Sequence, residues 1–221
     1  MAPSFSVEKQ VMWNRLLALV EEQAQTLVRT AFGAATREAG DVSAGVYDQR
    51  GRMIAQAVTG TPGHVNSMAK SVGHLLARIP HSDMAEGDVF IFNDPWIGTG
   101  HLNDIVVITP AFLEKQIIGF LACTLHVVDI GGVGMSGATR QLYEEGLFIP
   151  PCRIVVAGQI NTLLVDLIRN NVREADQVMG DIYSEISANH VGATRLASML
   201  RELNLTDLEQ LSDHFPLFTS L

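Results

Sequence analysis

Two histidines and an aspartate have spacings that could bring them to a single point. His101 and Asp104 are three residues apart on a glycine-flanked turn that leads into a predicted strand. His126 lies near the end of the next predicted strand, and antiparallel pairing of the two strands would return that end to the loop. Imidazole nitrogens combined with carboxylate oxygens suit Zn, Mn or Fe(II) and require no thiolate. A histidine at a strand end is more often a hydrogen-bonded structural residue, so the spacing alone leaves both interpretations open.

Three further features are weaker candidates for chemistry. Asp41 follows Gly40 at the end of a predicted helix, where a carboxylate is typical of a turn. His64, at the start of another helix, is interpreted as a capping or packing residue. The glycine-rich residues 131–137 could surround an anion with backbone N–H groups, but they lack the Gly-Lys-Ser/Thr ending of a P-loop. We therefore expect that loop to pass close to a substrate or a metal.

The elements that must position these residues follow from hydrophobic periodicity. Apolar residues at helical spacing predict helices, and runs rich in β-branched residues predict strands. The predicted elements are a helix over 7–39 with a possible break near Gly33, a β-hairpin over 41–58, a helix over 64–79, strands over 89–92, 105–109 and 117–128, and helices over 160–180 and 184–203. No regular βαβα alternation is present. The order predicts an α+β fold, in which flanking helices enclose a mainly antiparallel β-core.

Composition narrows the possible partners and location. The chain carries 15 basic and 24 acidic residues, for a net charge of -9. Such a surface argues against non-specific nucleic-acid binding, which needs basic patches. The longest apolar run, residues 117–125, is about half of what crosses a bilayer, so we expect no membrane association. Cys123 and Cys152 match no CxxC spacing, and no signal peptide is evident, so we expect reduced thiols and a cytoplasmic protein.

Five motifs resemble the hydantoinase B/oxoprolinase family, and they occur in the family's order and spacing. They are GDVFIFNDP (residues 87–95), GHLND (100–104), HVVDIGG (126–132), YEEGLFIPP (143–151) and RNNVR (169–173). The resemblance covers most of residues 7–205. It implies a hydantoinase B-like fold, with residues 1–205 as the N-terminal part of a metal-binding domain and residues 206–221 as an irregular tail.

The resemblance also implies a set of site residues. The family's metal ligands fall on four positions: Asp41, His101, Asp104 and His126. His101, Asp104 and His126 are the predicted catalytic residues. Four others are expected to orient a ligand or the substrate: Asn93, Asp129, Gly131 and Gly132. Asn103 stands where the family usually has proline, which predicts a slightly looser loop without loss of a ligand.

The implied function is that of one subunit in an ATP-dependent heteromer. An A-type ATP-binding partner would phosphorylate a small cyclic amide, as in N-methylhydantoinase and 5-oxoprolinase. The B-type subunit would hold Zn or Mn, lower the pKa of a bound water and open the ring. ATP would act only through the partner. The alternatives are a subunit of an acetone- or acetophenone-type carboxylase, or a non-catalytic truncated paralogue. Because the family's B subunits are longer, the chain is expected to be a short paralogue, a truncated product or one piece of a split subunit.

Overall fold

A seven-stranded sheet forms the centre of the computed structural model, which describes residues 7–134 and 136–208. The strands are β1 (Val42–Tyr47), β2 (Met53–Gln56), β3 (Val89–Phe92), β4 (Asp104–Leu113), β5 (Gln116–His126), β6 (Cys152–Val156) and β7 (Gln159–Ile160). Their order in the sheet is β2-β1-β5-β4-β3-β6-β7, and every neighbouring pair is antiparallel. The predicted α+β fold with an antiparallel core is therefore confirmed.

Helices cover both faces of this sheet. They are α1 (Val7–Thr30), α2 (Ala34–Ala39), α3 (His64–Leu76), α4 (Leu142–Glu145), α5 (Thr162–Asn171) and α6 (Ala175–Glu202). The break expected near Gly33 is present, because α1 ends at Thr30 and α2 begins at Ala34. Asp181 of α6 stabilises this break by accepting the backbone N–H groups of Phe32 (2.7 Å) and Gly33 (3.0 Å).

Successive side chains of β4 point alternately into two separate hydrophobic cores, one on each face of the sheet. This alternation shows on which face the site lies. Val107 belongs to the larger core, which also contains apolar residues of α1 and α6. Val106 belongs to the second core, beneath α3. Successive residues of a strand point to opposite faces, so Asp104 shares the α3 face with Val106. His126, which pairs directly with Asp104, lies on that face as well. The polar cluster therefore forms where α3 begins.

The structure corrects the predicted C-terminal helices. The expected break between residues 180 and 184 is absent, and the chain instead leaves helical structure between Asn171 and Ala175. The N–H of Arg173 donates there to Asp129, which holds the chain away from a helical path. Gly180 lies within α6 and faces the ring of Phe32, because a Cβ at this position would approach Phe32 Cδ2 to 2.6 Å. Strands β6 and β7 and the short α4 were not predicted.

The described chain ends at Leu208, which is fully buried. Its side chain packs on Gly119 of β5, where an added Cβ would lie 2.7 Å from Leu208 Cδ1. Of the predicted irregular tail over 206–221, residues 209–221 lie outside the described residues. Within the residues that the structure covers, no helix combines the length and apolar character needed to cross a membrane.

Candidate metal centre

Asp104 and His126 face each other across the central strand pair. Asp104 is the first residue of β4 and His126 the last residue of β5, and the two are register partners. His126 Nδ1 lies 3.1 Å from Asp104 Oδ1. The expectation that an antiparallel pair would return His126 to the loop before β4 is thus confirmed.

His101 completes a group of three possible metal ligands. Its Nε2 lies 3.2 Å from Asp104 Oδ2, and its ring meets that of His126 edge-on, with 5.0 Å between centroids. One ligand atom from each of His101, Asp104 and His126 lies within 4.8 Å of the others. In the part of the chain that the structure describes, no other group of three His, Cys, Asp or Glu residues comes this close.

The loop that presents His101 is held by buried backbone contacts. The Asn93 amide donates to the carbonyls of Leu102 (2.8 Å) and Leu147 (2.9 Å), and its Oδ1 accepts the Ile149 N–H (2.7 Å). Asn93, predicted to orient a ligand or substrate, thus joins the His101 loop to the chain around residue 148. Such buried amide bonds are costly to break, because each lost partner leaves an unpaired polar group.

Asn103 ties the same loop to β5 rather than loosening it. Its amide donates to the Val127 carbonyl at 3.0 Å, and its own carbonyl accepts the Val127 N–H at 2.9 Å. A proline side chain could not make the first of these bonds. The looser loop expected from the departure at this position is therefore not what the structure contains.

Asp41 approaches the group from the end of α2. Thr61 Oγ1 donates to Asp41 Oδ1 at 2.6 Å, and His64 Nε2 lies 3.8 Å from the same oxygen. His64 Nε2 also lies 3.2 Å from Asp104 Oδ2. Of the four predicted ligands, three therefore meet directly, and Asp41 reaches them through His64. His64 was not predicted from the sequence to lie in the site. The one local indication is that this histidine directly follows the turn Thr61-Pro62-Gly63.

Asp104 is the electrostatic centre of the group. Burial by itself would raise the pKa of this carboxyl, but hydrogen bonds from His126, His64 and Thr99 outweigh burial and hold the pKa far below its usual value. The Thr99 hydroxyl donates to Oδ2 at 2.5 Å. The hydrogen bond to Asp104 raises the pKa of His126 against the opposing effect of burial, and Asp41 adds to the increase. The site therefore has a carboxylate whose ionised form is stabilised by the imidazoles and the hydroxyl around it.

This donor set fits a divalent cation. It offers imidazole nitrogens and carboxylate oxygens, a mixed set that Zn and Mn accept. His101 Nδ1 is buried with no hydrogen-bond partner among the described residues. A buried polar atom without a partner is uncommon in folded proteins. An ion bound in this group could coordinate this nitrogen directly, or it could reorient the ring so that the nitrogen gains a partner.

The remaining predicted residues hold the glycine-rich loop after β5. Asp129 accepts the Gly131 N–H at 3.1 Å and pairs with the Arg173 guanidinium at 2.8 Å, and Arg173 also donates to the Gly132 carbonyl. Gly131 has φ 81°, and a Cβ there would lie 2.3 Å from the Asn171 carbonyl oxygen. Burial raises the pKa of Asp129, but bonds from Arg173 and Gly131 lower it below its usual value. These contacts connect the loop to the α5–α6 junction.

The fold and the site together define an α+β domain whose antiparallel strands present histidines around a buried aspartate. The sequence matches the profile of the hydantoinase B/oxoprolinase family over residues 6–216, and the chain belongs to that family. An uncharacterized protein of Methanocaldococcus jannaschii is 34% identical over 83% of this chain. A 5-oxoprolinase of Dictyostelium discoideum is 28% identical over 88%, and the caprolactamase subunit beta of Pseudomonas jessenii 28% over 87%.

The chain spans only part of these relatives. It covers 33% of the archaeal protein, 16% of the 5-oxoprolinase and 34% of the caprolactamase subunit. The crystal structure of the ATP-dependent caprolactamase of Pseudomonas jessenii has the same fold, with a TM-score of 0.82 and 24% identity over 97% of this chain and 37% of that one. A nucleotide-free acetone carboxylase structure gives a TM-score of 0.77, with 24% identity over 87% of this chain and 26% of that one.

Proposed function

We propose that the chain is a divalent-metal-binding B-type subunit, or part of one, in an ATP-dependent enzyme that opens cyclic amides. The observation that carries the proposal is the group of His101, Asp104 and His126, whose ligand atoms lie within 4.8 Å of one another. Membership of the hydantoinase B/oxoprolinase family supports the reaction class. Two relatives, a 5-oxoprolinase and a caprolactamase subunit beta, are named after cyclic amides, which supports a cyclic amide as the substrate.

His101, Asp104, His126 and Asp41 would hold the cation, with Zn or Mn as the expected metal. When bound, such an ion polarises carbonyl groups and makes water more acidic. The protein residues have a separate task. Asp104 remains ionised because imidazole and hydroxyl donors stabilise its charge, and so it would offer a fixed anionic ligand at neutral pH. Asn93 and Asn103 hold the loop that carries His101 and fix its position relative to β5.

The phosphorylation step would belong to a separate A-type subunit. The sequence contains no Gly-Lys-Ser/Thr phosphate-binding loop, and its net charge of -9 does not favour polyphosphate binding. Unactivated amides resist hydrolysis, so the partner would transfer the terminal phosphoryl group of ATP to the amide oxygen. This makes the amide carbon more electrophilic, so that water adds to it and the ring nitrogen leaves as the C–N bond breaks. The name "subunit beta" of the caprolactamase relative supports a hetero-oligomeric assembly of this kind.

Reconstitution with an A-type partner would test this function. The purified chain is combined with the candidate partner, Zn or Mn and ATP, and ring opening is measured for 5-oxoproline, a hydantoin and caprolactam. We expect no turnover by the chain alone, ATP-dependent turnover by the pair, and loss of that turnover with His126→Ala. His190→Ala is the matched control, because His190 is exposed on α6, away from the group.

Three results would contradict the proposal. ATP- and bicarbonate-dependent carboxylation of acetone or acetophenone, without amide hydrolysis, would instead assign the chain to a carboxylase; the fold shared with acetone carboxylase makes this the second candidate. Ring opening by the chain alone would show that the division of labour is wrong. Metal binding without any activity, in the presence of every neighbouring gene product, would favour a non-catalytic paralogue.

A further inference from the structure

His64 contacts both carboxylates of the site but stands outside the group of three. Its Nε2 lies 3.2 Å from Asp104 Oδ2 and 3.8 Å from Asp41 Oδ1. The residue is buried, with 9% of its side chain exposed, and its Nδ1 has no hydrogen-bond partner among the described residues. Because Nε2 faces two carboxylates, it is the ring nitrogen that is placed to donate an N–H to Asp104.

We propose that His64 is a positioning residue that connects Asp41 to Asp104 and thereby sets the affinity of the site for a divalent cation. The inference rests on the metal-binding function proposed above and adds a residue to it. His64 acts on the two carboxylates through its N–H group and is not itself a ligand.

The chain places His64 by fixing the segment that precedes it. The Thr61 N–H donates to the Val42 carbonyl at 2.8 Å, and the Thr61 carbonyl accepts the His64 N–H at 3.1 Å. Gly60 has φ 147°, and a Cβ there would lie 2.4 Å from the Val42 carbonyl oxygen, so only glycine permits this approach. The same threonine donates its hydroxyl to Asp41, so one short segment supports Asp41 and delivers His64 to Asp104.

The far end of the segment is tied to α1. The Val58 N–H donates to Glu21 Oε2 at 3.1 Å, and the Thr59 hydroxyl bonds to Glu21 Oε1. Burial raises the pKa of Glu21, but these bonds outweigh burial and lower it, which keeps the acceptor charged. The segment that precedes His64 is therefore hydrogen-bonded to α1 at one end and to Val42 of β1 near the other. Such anchoring is expected for a side chain that orients other groups.

A donor between two nearby carboxylates has a definite effect on them. It reduces their mutual repulsion, and it fixes the rotation of the Asp104 carboxylate through a charge-assisted hydrogen bond. Residues that orient metal ligands in this way typically contribute a factor of about 10–100 in metal affinity. Without His64, Asp104 would lose one of its donors, and Asp41 would lose its connection to the group.

The test compares His64→Ala with His64→Gln in the full chain. Glutamine can place an N–H donor close to the position of His64 Nε2 but is a poor metal ligand. Zn²⁺ affinity is measured by competition with a chromophoric chelator, and the visible spectrum is recorded with Co²⁺. We expect His64→Ala to weaken Zn²⁺ binding about 10–100-fold and His64→Gln to restore most of that loss. Both variants should keep the Co²⁺ band positions, because the ligands are unchanged.

Each remaining outcome overturns a defined part of the inference. Wild-type affinity in His64→Ala would show that His64 does not influence the site. Equal weakening in both variants, with a shifted Co²⁺ spectrum, would make His64 a ligand. Failure of the wild-type chain to bind Zn²⁺ would overturn the proposed metal site itself. Far-UV circular dichroism checks folding, and His74→Ala on the same helix is the control expected to bind like wild type. If His64→Ala does not fold, His64→Gln decides between donor and ligand.

Discussion

Replacing Asp104 with asparagine removes the negative charge that the histidines of the candidate metal centre surround. Three groups donate to its side chain, His126 at 3.1 Å, His64 at 3.2 Å and Thr99 at 2.5 Å. The His101 imidazole lies 3.2 Å from the same carboxylate. The carboxylate is fully enclosed, with 0% of its side chain exposed. Asparagine keeps the shape and one acceptor oxygen, but its NH₂ group would face donors in place of the second oxygen. The fold should survive, while the electrostatic centre of the site is lost.

The size of the effect on stability follows from these contacts. An asparagine that keeps its oxygen at the Oδ2 position loses the bond from His126, and bonds to a charged group contribute about 1.5–3 kcal/mol each. The bonds from His64 and Thr99 weaken as well, because their acceptor is now neutral. The gross loss is therefore about 3–6 kcal/mol, which relief from burying a charge reduces to a net loss of about 2–3 kcal/mol. For a chain of this size that is a decrease in Tm of about 4–12 °C in the metal-free protein.

The effect on metal binding should be larger. Residues that only orient metal ligands contribute at most a factor of about 100 in metal affinity. Loss of a carboxylate ligand should therefore weaken Zn²⁺ binding more than about 100-fold. The assay is differential scanning calorimetry with and without Zn²⁺, together with metal competition. Asp176→Asn is the matched control, because that carboxylate is 91% exposed and should change stability by less than about 0.5 kcal/mol. If Asp104→Asn retained wild-type Zn²⁺ affinity and the wild-type thermal shift, Asp104 could not be a ligand and the reasoning would fail.

Three further predictions concern titration and the glycine-rich loop. The pKa of His126 is raised in the folded state, so its stabilising effect is complete below the unfolded value of about 6.5 and is lost as pH rises through the folded value. The Tm of the metal-free protein should therefore decrease as pH rises above about 6.5, and His126→Ala should remove much of that decrease. Glu185 of α6 is fully buried, and burial raises the pKa of its carboxyl. Keeping this residue in the folded state therefore costs stability as pH rises above the unfolded pKa of about 4.3. Glu185→Gln should be more stable than wild type at about pH 8, and the difference should narrow near pH 4 in thermal melts. Arg173→Met removes the pairing with Asp129 and the bond to the Gly132 carbonyl, so hydrogen exchange over residues 129–134 should accelerate while the Tm changes little; unchanged exchange would show that Arg173 does not hold the loop.

The fold was predictable where the hydrophobic pattern was long and regular. The hairpin of β1 and β2 and the helices α1 and α3 were expected from periodicity, and so was the antiparallel core. The α5–α6 boundary was not, because it depends on Arg173 donating to Asp129, a residue 44 positions away. Glycine at position 180 indicated a helix break, yet it serves there to admit the ring of Phe32. Such tertiary contacts are invisible to local propensity.

The site was predictable in part. The spacing of His101, Asp104 and His126 was enough to suggest convergence, because antiparallel pairing brings the end of β5 back to the start of β4. Asp41 came only from resemblance to the family. The local pattern around His64 predicts only a structural residue. Its approach to Asp41 and Asp104 depends on tertiary contacts, the passage of Gly60 close to the Val42 carbonyl and the bond from the Thr61 N–H to the same oxygen. Those contacts exist only after the sheet has formed.

Metal content of the purified chain tests the central claim most directly. The wild-type protein, dialysed against a weak chelator, is analysed for Zn and Mn beside Asp104→Ala, His126→Ala and the control His190→Ala. A site built on Asp104 and His126 predicts close to one equivalent of divalent metal per chain in wild type and control, and little in the two site variants, with similar far-UV circular dichroism in all four. Metal well below one equivalent in a folded wild-type chain, or full metal content in both site variants, would contradict it.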